Sequence, residues 1–588
     1  MAFEFGPFRL DEPGRVLWLA ERELPLQPRV FDLLAYLIRS RERVVSKDEL
    51  LDALWPAVTV TENSLQRAVS SLRSALREGS MEDAIRVYPR NGYRFCVAAD
   101  GEKPSRSAAV STVPQGNRIH AARQAAAEQR WDDAAGLYAG IDAEQPLAAE
   151  DLDRWAAALQ SLGRPAAAIP MLVRAVAAHT EADADDAAAG AAVALSVIHF
   201  ERGEVAVCKG WAARARGLVA GDPDSLATGR VLWLESRIAA VDGDQKRALG
   251  LAEAAYEFGK RLDDVTSTVL GLMYRGFYRL SLGDTLGGLA DQDHAAAIAL
   301  SSKVDPITGG VLYCNILWAC RTFGDWARAN QWTIGYQQFC NSNRMGFSGS
   351  CQLHRAEVLG IRGSLGDALV HINEALARLG EDAPWALADA HRVLGDIHHA
   401  IGDVDAAQAA YEKCYALGWS PEPGQAMLLL EQGDANAAYA SLERGLIGQS
   451  WWTLQRQGIL LAHLAVVAVH ADRFEDAQAL IDDLSGQEER WPMPSIRALT
   501  NEAASLLAQK RGNASEALRH LYLARQLWTS VESRLHAARL RLQIADIQLE
   551  LGDQRSATAE LRSAMAAADE LGSEMLRRQG RELQRRLG

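Results

Sequence analysis

Between residues 67 and 94 the chain carries six arginines, Arg67, Arg73, Arg77, Arg86, Arg90 and Arg94, against three acids, Glu78, Glu82 and Asp83. The run Asn63-Ser-Leu-Gln-Arg-Ala-Val-Ser-Ser-Leu-Arg-Ser-Ala-Leu-Arg77 puts Leu65, Val69, Leu72 and Leu76 on one helical stripe. Gln66, Arg67, Ser70, Ser71, Arg73, Ser74 and Arg77 lie on the other face. Glutamine and arginine reach base edges in a major groove, while serine and arginine hold phosphates. Such a face also suits an ordinary solvated helix. What separates the two readings is the segment Ile85-Arg-Val-Tyr-Pro-Arg-Asn-Gly-Tyr-Arg-Phe95, two short strand-like runs about a turn with basic residues at and beside its tip. A helix built to enter a groove, followed by a hairpin built to flank it, reads as a winged-helix reader of duplex DNA.

The elements that must hold this pair are also written in the first sixty residues. Phe3-Glu-Phe, Phe8-Arg-Leu, the turn Asp11-Glu-Pro-Gly14 and Val16-Leu-Trp-Leu predict a small antiparallel sheet. Pro28 opens a first helix with Phe31, Leu34, Leu37 and Ile38 at helical spacing. Ser46-Lys-Asp-Glu49 is a capping box that opens a second, and Trp55-Pro56 stops it.

Taken together, residues 1–97 resemble the DNA-binding domain of the OmpR/PhoB family: an N-terminal sheet, three helices, Trp-Pro after the second helix, and the wing Gly92-Tyr-Arg-Phe95. The resemblance implies that the third helix is the recognition helix and that the wing lies along an adjacent minor groove. The DNA contacts would then come from Gln66, Arg67, Ser70, Ser71, Arg73, Arg77, Arg90, Asn91, Tyr93 and Arg94. It also implies that the loop Pro56, Ala57, Val58, Thr59, Val60 and Thr61 faces RNA polymerase, which favours activation, and that the family's habit of reading paired direct repeats allows a homodimer. Two departures bear on specificity. Many family members carry an Arg-Gly step ahead of the wing motif where this chain has Pro89-Arg90-Asn91, so the minor-groove arginine is displaced by one. Ser71 and Gln66 fall where relatives place an arginine and an acid, so the operator cannot be copied from them.

Charge and length place the rest. A chain of 588 residues is too long for one core and must divide or run as an array. Its net charge of −14 argues against a protein coated in nucleic acid, and residues 1–100, with 14 Lys and Arg against 15 Asp and Glu, are nearly neutral, so any DNA contact is local. The first residues, Met-Ala-Phe-Glu-Phe-Gly-Pro-Phe-Arg-Leu, have neither region of a signal peptide. The most membrane-like run, Leu460 to Ala471, is short and carries His463 and His470. Seven cysteines without a C-x-x-C pair fit reduced thiols in a cytoplasm. No P-loop, G-x-S-x-G, H-E-x-x-H or dinucleotide fingerprint occurs, and the expectation is of no enzyme, no cofactor and no metal site.

Residues 99–118 are rich in small and breaking residues and predict a flexible linker between a winged helix over 1–98 and a helical domain over 119–588. Beyond it a turn followed by a helix recurs at Gly163, Gly203, Gly243, Gly283, Gly324, Gly363, Gly402, Gly433, Asp472, Gly512 and Gly552, at intervals of 40, 40, 40, 41, 39, 39, 31, 39, 40 and 40, with a shorter unit ahead at Arg130. Leu394-Gly395, Gly402, Ala407 and Tyr411 resemble the tetratricopeptide (TPR) pattern at a period near 40 rather than 34, as in bacterial activators of the MalT type. The fold class is therefore mainly α: a small α+β winged helix followed by an all-α, TPR-like superhelical solenoid. The lone 31-residue interval, with Pro421 and Pro423, predicts either an interruption or a packed loop, and the arginines from Arg577 to Arg586 predict a capping helix.

Counting back from each turn places Phe200, Arg230, Trp233, Arg237, Met273, Phe277, Cys314, Trp318, Arg321, Arg392, Asp396 and His399 at concave-groove positions, if they are not packing residues. Aromatics interleaved with arginine, above all Arg230, Trp233, Arg237, Phe277, Cys314, Trp318 and Arg321, suit an acidic or aromatic-bearing peptide or a small molecule. The run Tyr336–Cys351 reads as a long loop between hairpins. With no receiver domain ahead of the winged helix and no span behind it, a signal is expected to enter through the solenoid. The rival reading is a DNA-tethered scaffold whose solenoid recruits a protein and senses nothing small.

Overall fold

The computed structural model describes residues 2–587 other than 6, 12, 13, 20, 21, 25, 42–44, 55–61, 78–80, 82, 83, 89–91, 97–114, 302, 303, 346–348, 381, 382 and 449. It divides into two units, Met1–Asn117 and Arg118–Gly588.

In the first unit, alternation of apolar and polar residues builds an antiparallel meander: β1 (Ala2–Phe5), β2 (Phe8–Asp11), β3 (Val16–Leu19) and β4 (Arg22–Leu24). Phe5 pairs with Phe8, and Leu10 with Leu17, so Phe5, Phe8, Leu10, Leu17 and Leu24 share a buried face. Helix α1 (Pro28–Arg39) begins with proline, whose missing N–H has no partner to lose there, and buries Phe31, Leu34, Leu37 and Ile38. Helix α2 (Lys47–Leu54) is capped as predicted: Ser46 Oγ accepts the Glu49 N–H at 3.2 Å, while the Glu49 carboxylate accepts the Tyr36 hydroxyl at 2.8 Å. Helix α3 (Glu62–Arg77) buries Leu65, Val69, Leu72 and Leu76, each leucine contributing about 1.5–3 kcal/mol of transfer free energy. The hairpin of β5 (Ile85–Tyr88) and β6 (Gly92–Phe95) follows, in the register Ile85 to Phe95 and Tyr88 to Gly92.

The stretch expected to be linker throughout ends in helix, because Gln115–Ala127 already covers its last residues. Residues 99–114 lie outside the described residues. From there twelve helical hairpins and a final helix, Glu574–Leu587, run through the described residues. Every turn glycine singled out by the repeat has a left-handed φ between 71° and 103°, and Asp472 takes the same region at 57°.

Each second helix places a small residue five positions after its turn, alanine at nine of the eleven turns and Cys208 or Gly288 at the others. Each first helix places a small residue seven positions before it, Leu317 excepted. The two sets meet where the helices cross. Ser196 Oγ donates to the Cys208 carbonyl at 2.8 Å, Ser505 Oγ to the Ala517 carbonyl at 2.9 Å, and a Cβ on Gly276 would stand 2.6 Å from the Gly288 oxygen. That close crossing is why small side chains recur at these offsets.

Successive superhelical turns also touch. Ser495, Ser533 and Ser573, at the start of first helices, donate to the carbonyls of Gly324, Ile361 and Ala400 at 2.6, 2.9 and 2.7 Å, over separations of 171, 172 and 173 residues. Those carbonyls close helices and lack an intrahelical partner, so one helix start satisfies another helix end, just over four repeats earlier.

The 31-residue interval is a packed loop rather than a break. It shortens one first helix to Gly424–Glu431 and inserts Trp419 against Trp452 at 4.6 Å between ring centroids. Buried Glu422 accepts from Ser441 Oγ and from the Ala426 N–H. The run Tyr336–Cys351, expected as a loop, is mostly helix, since Trp326–Ser342 and Gly349–Arg362 cover both of its ends. The final helix buries Leu576 and Leu583 and exposes Arg578, Arg581, Arg585 and Arg586, as a capping helix must.

Candidate functional site

The wing is held by its own motif. Gly92 has φ +128°, and a Cβ there would stand 1.8 Å from the Val45 carbonyl oxygen, so no other residue fits. Tyr93 exchanges backbone hydrogen bonds with Val45 at 2.9 and 2.8 Å, tying the hairpin to the segment between α1 and α2. Arg94 Nε donates to the Arg41 carbonyl at 2.9 Å, and Phe95 meets Phe5 edge-on at 5.1 Å. From the helix, Arg73 Nη2 donates to the Ile85 carbonyl at 2.7 Å. Helix α3 and the hairpin are thereby joined as one surface.

This changes the part played by two expected DNA contacts. Tyr93 is 5% exposed and belongs to the core, which corrects its place among groove-facing residues. Arg73 and Arg94 each spend at least one donor on the fold. Ser71 is exposed on α3. The side chains of Gln66, Arg67, Ser70 and Arg77, the tip residues Arg90 and Asn91, and the loop Pro56–Thr61 lie outside the described residues.

In the solenoid, two cavities flank one wall. A cavity of about 640 Å³ and one of about 1240 Å³ share Trp318, Trp452 and Arg456. Of the expected groove residues, Arg237, Phe277 and Trp318 line the larger cavity with Phe200, while Trp318, Arg321, Arg392, Asp396 and His399 line the smaller. Arg230, Trp233, Cys314 and Met273 line neither. Trp233 packs edge-on against Tyr274, and Cys314 Sγ sits 3.4 Å from His354 Nε2, so these are packing positions. The positions counted from the turns thus divide between cavity-lining residues and residues packed between helices.

A buried ionic cluster lines the smaller cavity. Arg321 pairs with Glu357 and, at 2.8 Å, with Asp389. Arg392 pairs with Asp389, Glu357 and Asp396 at 2.6, 2.8 and 2.8 Å. Burial raises the Asp389 carboxyl, but the flanking guanidiniums of Arg392 and Arg321 outweigh it and hold it low. Asp396 goes the other way: burial pushes it up to about 6 against the pull of Arg392, while Tyr411 donates to it at 2.8 Å. Arg321 Nη1 donates to His354 Nδ1 at 2.6 Å, which places the imidazole proton on Nε2, and burial with the Arg321 charge keeps that ring neutral.

Sequence reasoning missed Trp419, Trp451, Trp452 and Arg456, which lie more than 90 residues along the chain from Trp318: Trp451 and Trp452 pack against it, and Trp419 and Arg456 pack on Trp452. The available signal was the adjacent pair Trp451-Trp452 opening a helix and a tryptophan beside two prolines. Among the described residues no three His, Cys, Asp or Glu side chains converge as metal ligands, and no helix is long and apolar enough to cross a membrane.

Residues 21–95 match the family described as the C-terminal domain of transcriptional regulatory proteins, and residues 388–417 match a tetratricopeptide repeat. The chain is 32% identical over 78 residues to the transcriptional activator CadC of Escherichia coli (strain K12), covering 13% of this chain and 15% of that protein. It is 33% identical over 93 residues to the transcriptional regulator HilA of Salmonella typhi, covering 16% and 17%. It is 36% identical over 89 residues to the phosphate regulon transcriptional regulatory protein PhoB of Rhizobium meliloti (strain 1021), covering 15% and 39%. The chain thus spans well under half the length of these relatives. A crystal structure of the APC/C hetero-tetramer Cut9-Hcn1 is similar over 81% of this chain and 98% of its own, at 15% identity and a TM-score of 0.33. With sheet, three helices and wing in the predicted order, the N-terminal domain is an OmpR/PhoB-type winged helix, carried in one chain with a TPR-like solenoid.

Proposed function

We propose that this protein is a one-component transcriptional regulator, in which the winged helix binds promoter DNA and the solenoid receives the signal that sets its output. The observation that supports it most is the joint of α3 to the hairpin through Arg73 and Ile85, inside a domain matched over residues 21–95. Such a joint presents helix and wing to a duplex as a unit, so that the helix reads the major groove while arginines fix the register on phosphates. Gln66, Arg67, Ser70, Ser71 and Arg77 would supply the helix contacts and Arg90 with Asn91 those of the wing. Arg73 and Arg94 would add phosphate contacts with the donors the fold leaves them. A protein working on promoter DNA in this way belongs in the cytoplasm, with no catalytic step of its own.

Activation is the favoured direction, through the loop Pro56–Thr61 and RNA polymerase. Genome-wide occupancy of the full chain and of a chain lacking residues 1–100 tests the DNA assignment: discrete promoter sites that vanish with the truncation support it, and identical patterns refute it. Val58→Ser with Val60→Ser tests the direction, because lost transcription with retained occupancy marks a polymerase contact and equal loss of both marks a folding role. The cavities carry the sensing half of the reading, since a solenoid whose successive turns are hydrogen-bonded is rigid enough to keep a preformed site.

A further inference from the structure

Arg456 is 4% exposed, stands 4.5 Å over the Trp452 ring and lines both cavities, yet it has no ion-pair or hydrogen-bond partner among the described residues. Its neighbours are provided for. Arg321 and Arg392 hold Glu357, Asp389 and Asp396, and Gln455, one residue away, bonds to Thr322, Ser281 and the Phe277 carbonyl. Burial and the Arg392 charge push the Arg456 pKa down to about 10 against the pull of Asp389, Glu357 and Asp396, so it is a cation at neutral pH. Those nearby carboxylates are bonded to Arg321 and Arg392, and a buried guanidinium with no direct partner of its own is costly, so a site that keeps one suits an anion.

The surroundings narrow the anion. The larger cavity is walled by Phe277, Trp318, Trp385, Trp419, Trp451 and Trp452. Its buried polar groups without a partner include the indole N–H of Trp318, Trp419 and Trp452 and Nη1 of Arg237. The buried carboxylate of the same wall, Glu422, already accepts from Ser441 Oγ and the Ala426 N–H, and burial raises its pKa, so the unmet groups of the cavity are donors that suit an anion. One uncommitted guanidinium matches a single negative charge, and its planar fork matches a carboxylate better than a dianionic phosphate, which calls for several cations. The volume of about 1240 Å³ leaves room for a ligand body of more than one ring.

We propose that the larger solenoid cavity is a binding site for a small aromatic monocarboxylate, with Arg456 holding the carboxylate and the tryptophan walls holding the rings. This deepens the sensing reading above and rests on it for its biological meaning.

The test uses the full-length protein with 1-naphthoate and indole-3-acetate as probes and 1-naphthamide and indole-3-acetamide as their uncharged matches. Binding is followed by tryptophan fluorescence and calorimetry. The carboxylates bind, and the amides bind roughly 10- to 100-fold more weakly, the loss expected for a charged hydrogen bond. Arg456→Gln brings the carboxylates down to the level of the amides, while its melting temperature without ligand holds or rises. Arg456→Lys, which keeps the charge but loses the fork, falls between.

No binding of either carboxylate at millimolar concentration overturns the proposal, as does equal binding by Arg456→Gln, preference for the amides, or a co-purified protein segment that no carboxylate displaces. A promoter reporter separates this from the sensing reading. Carboxylates that bind through Arg456 without changing reporter output leave the site standing and the sensing reading refuted. Output altered by a folded Trp385→Ala variant, with no carboxylate bound by the wild type, refutes the ligand class and leaves sensing standing.

Discussion

The wing joint and the solenoid interior put buried polar groups to opposite uses. At the joint, Arg73 and Arg94 donate to the carbonyls of Ile85 and Arg41, and Tyr93 exchanges bonds with Val45. Polar groups there hold backbone in place so that others can reach DNA. In the solenoid, Arg321 and Arg456 both line the smaller cavity and are 5% and 4% exposed, but the first is held by two carboxylates and the second has no direct partner among the described residues. Equal burial therefore does not mean equal role. The paired arginine is structure, and the unpaired one is a site.

The largest expected effect breaks that comparison if it fails. Asp389→Ala strands Arg321 and Arg392 in the wall and should cost the solenoid about 3–5 kcal/mol. Arg456→Gln, at similar burial, should cost nothing or stabilise. Thermal or urea unfolding of the two variants decides, and equal losses would make both arginines structural.

Next comes Gly92→Ala, whose methyl group would overlap the Val45 carbonyl in a backbone conformation that alanine resists. A loss of about 3 kcal/mol or more is expected, confined to the N-terminal unit, with DNA binding lost in step. An unchanged transition for residues 1–100 would show that the wing is not tied to Val45.

Acid should weaken the solenoid. Burial lowers the pKa values of His354, His463 and His536, that of His463 to about 4. A buried histidine with a lowered pKa binds fewer protons folded than unfolded, so His463 loses stability as pH falls from 6.5 to 4, by roughly 1.4 kcal/mol per unit. Asp396, raised to about 6, acts in the opposite direction, since its ionisation costs stability as pH rises from about 4 to 6. Burial likewise raises Asp153, Asp325 and Glu422, but it lowers eight histidines among the described residues against these four carboxylates, so the melting temperature falls between pH 7 and pH 5. His463→Leu should flatten that slope.

The smallest effect sharpens the account of the superhelical turns. Ser533→Ala leaves the Ile361 carbonyl without its donor and should cost about 1 kcal/mol. A change at the exposed pair Lys209 and Asp242, by comparison, should be hard to detect.

How far these regions were legible in the chain follows from the same contrast. The wing motif is readable because backbone geometry demands its residues: only glycine fits at 92, and Phe95 must fill the space beside Phe5. The same demand places Tyr93 in the core, 5% exposed, where the motif alone suggested a DNA contact. The repeat is readable because each turn needs a left-handed residue and each crossing a small one. The cavity is not, because Arg237, Trp318, Trp385 and Trp452 come from four different hairpins and meet only when one superhelical turn closes on the next. Local spacing carries no trace of a register that spans about 170 residues. Run 336–351 was misread for a related reason: amide and thiol side chains favour a loop in isolation, but Tyr336, Cys340 and Cys351 are buried against neighbouring helices.

The central claim, that the N-terminal unit reads duplex DNA, is tested most directly by binding of residues 1–100 to labelled duplex across a salt series. The fragment carries a hydrophobic core of its own, drawn entirely from residues between Phe5 and Phe95. It should bind at low salt, with log affinity falling linearly against log salt, and Arg90→Ala should reduce that slope by about one. No binding at low salt, or an affinity indifferent to salt, would contradict the account.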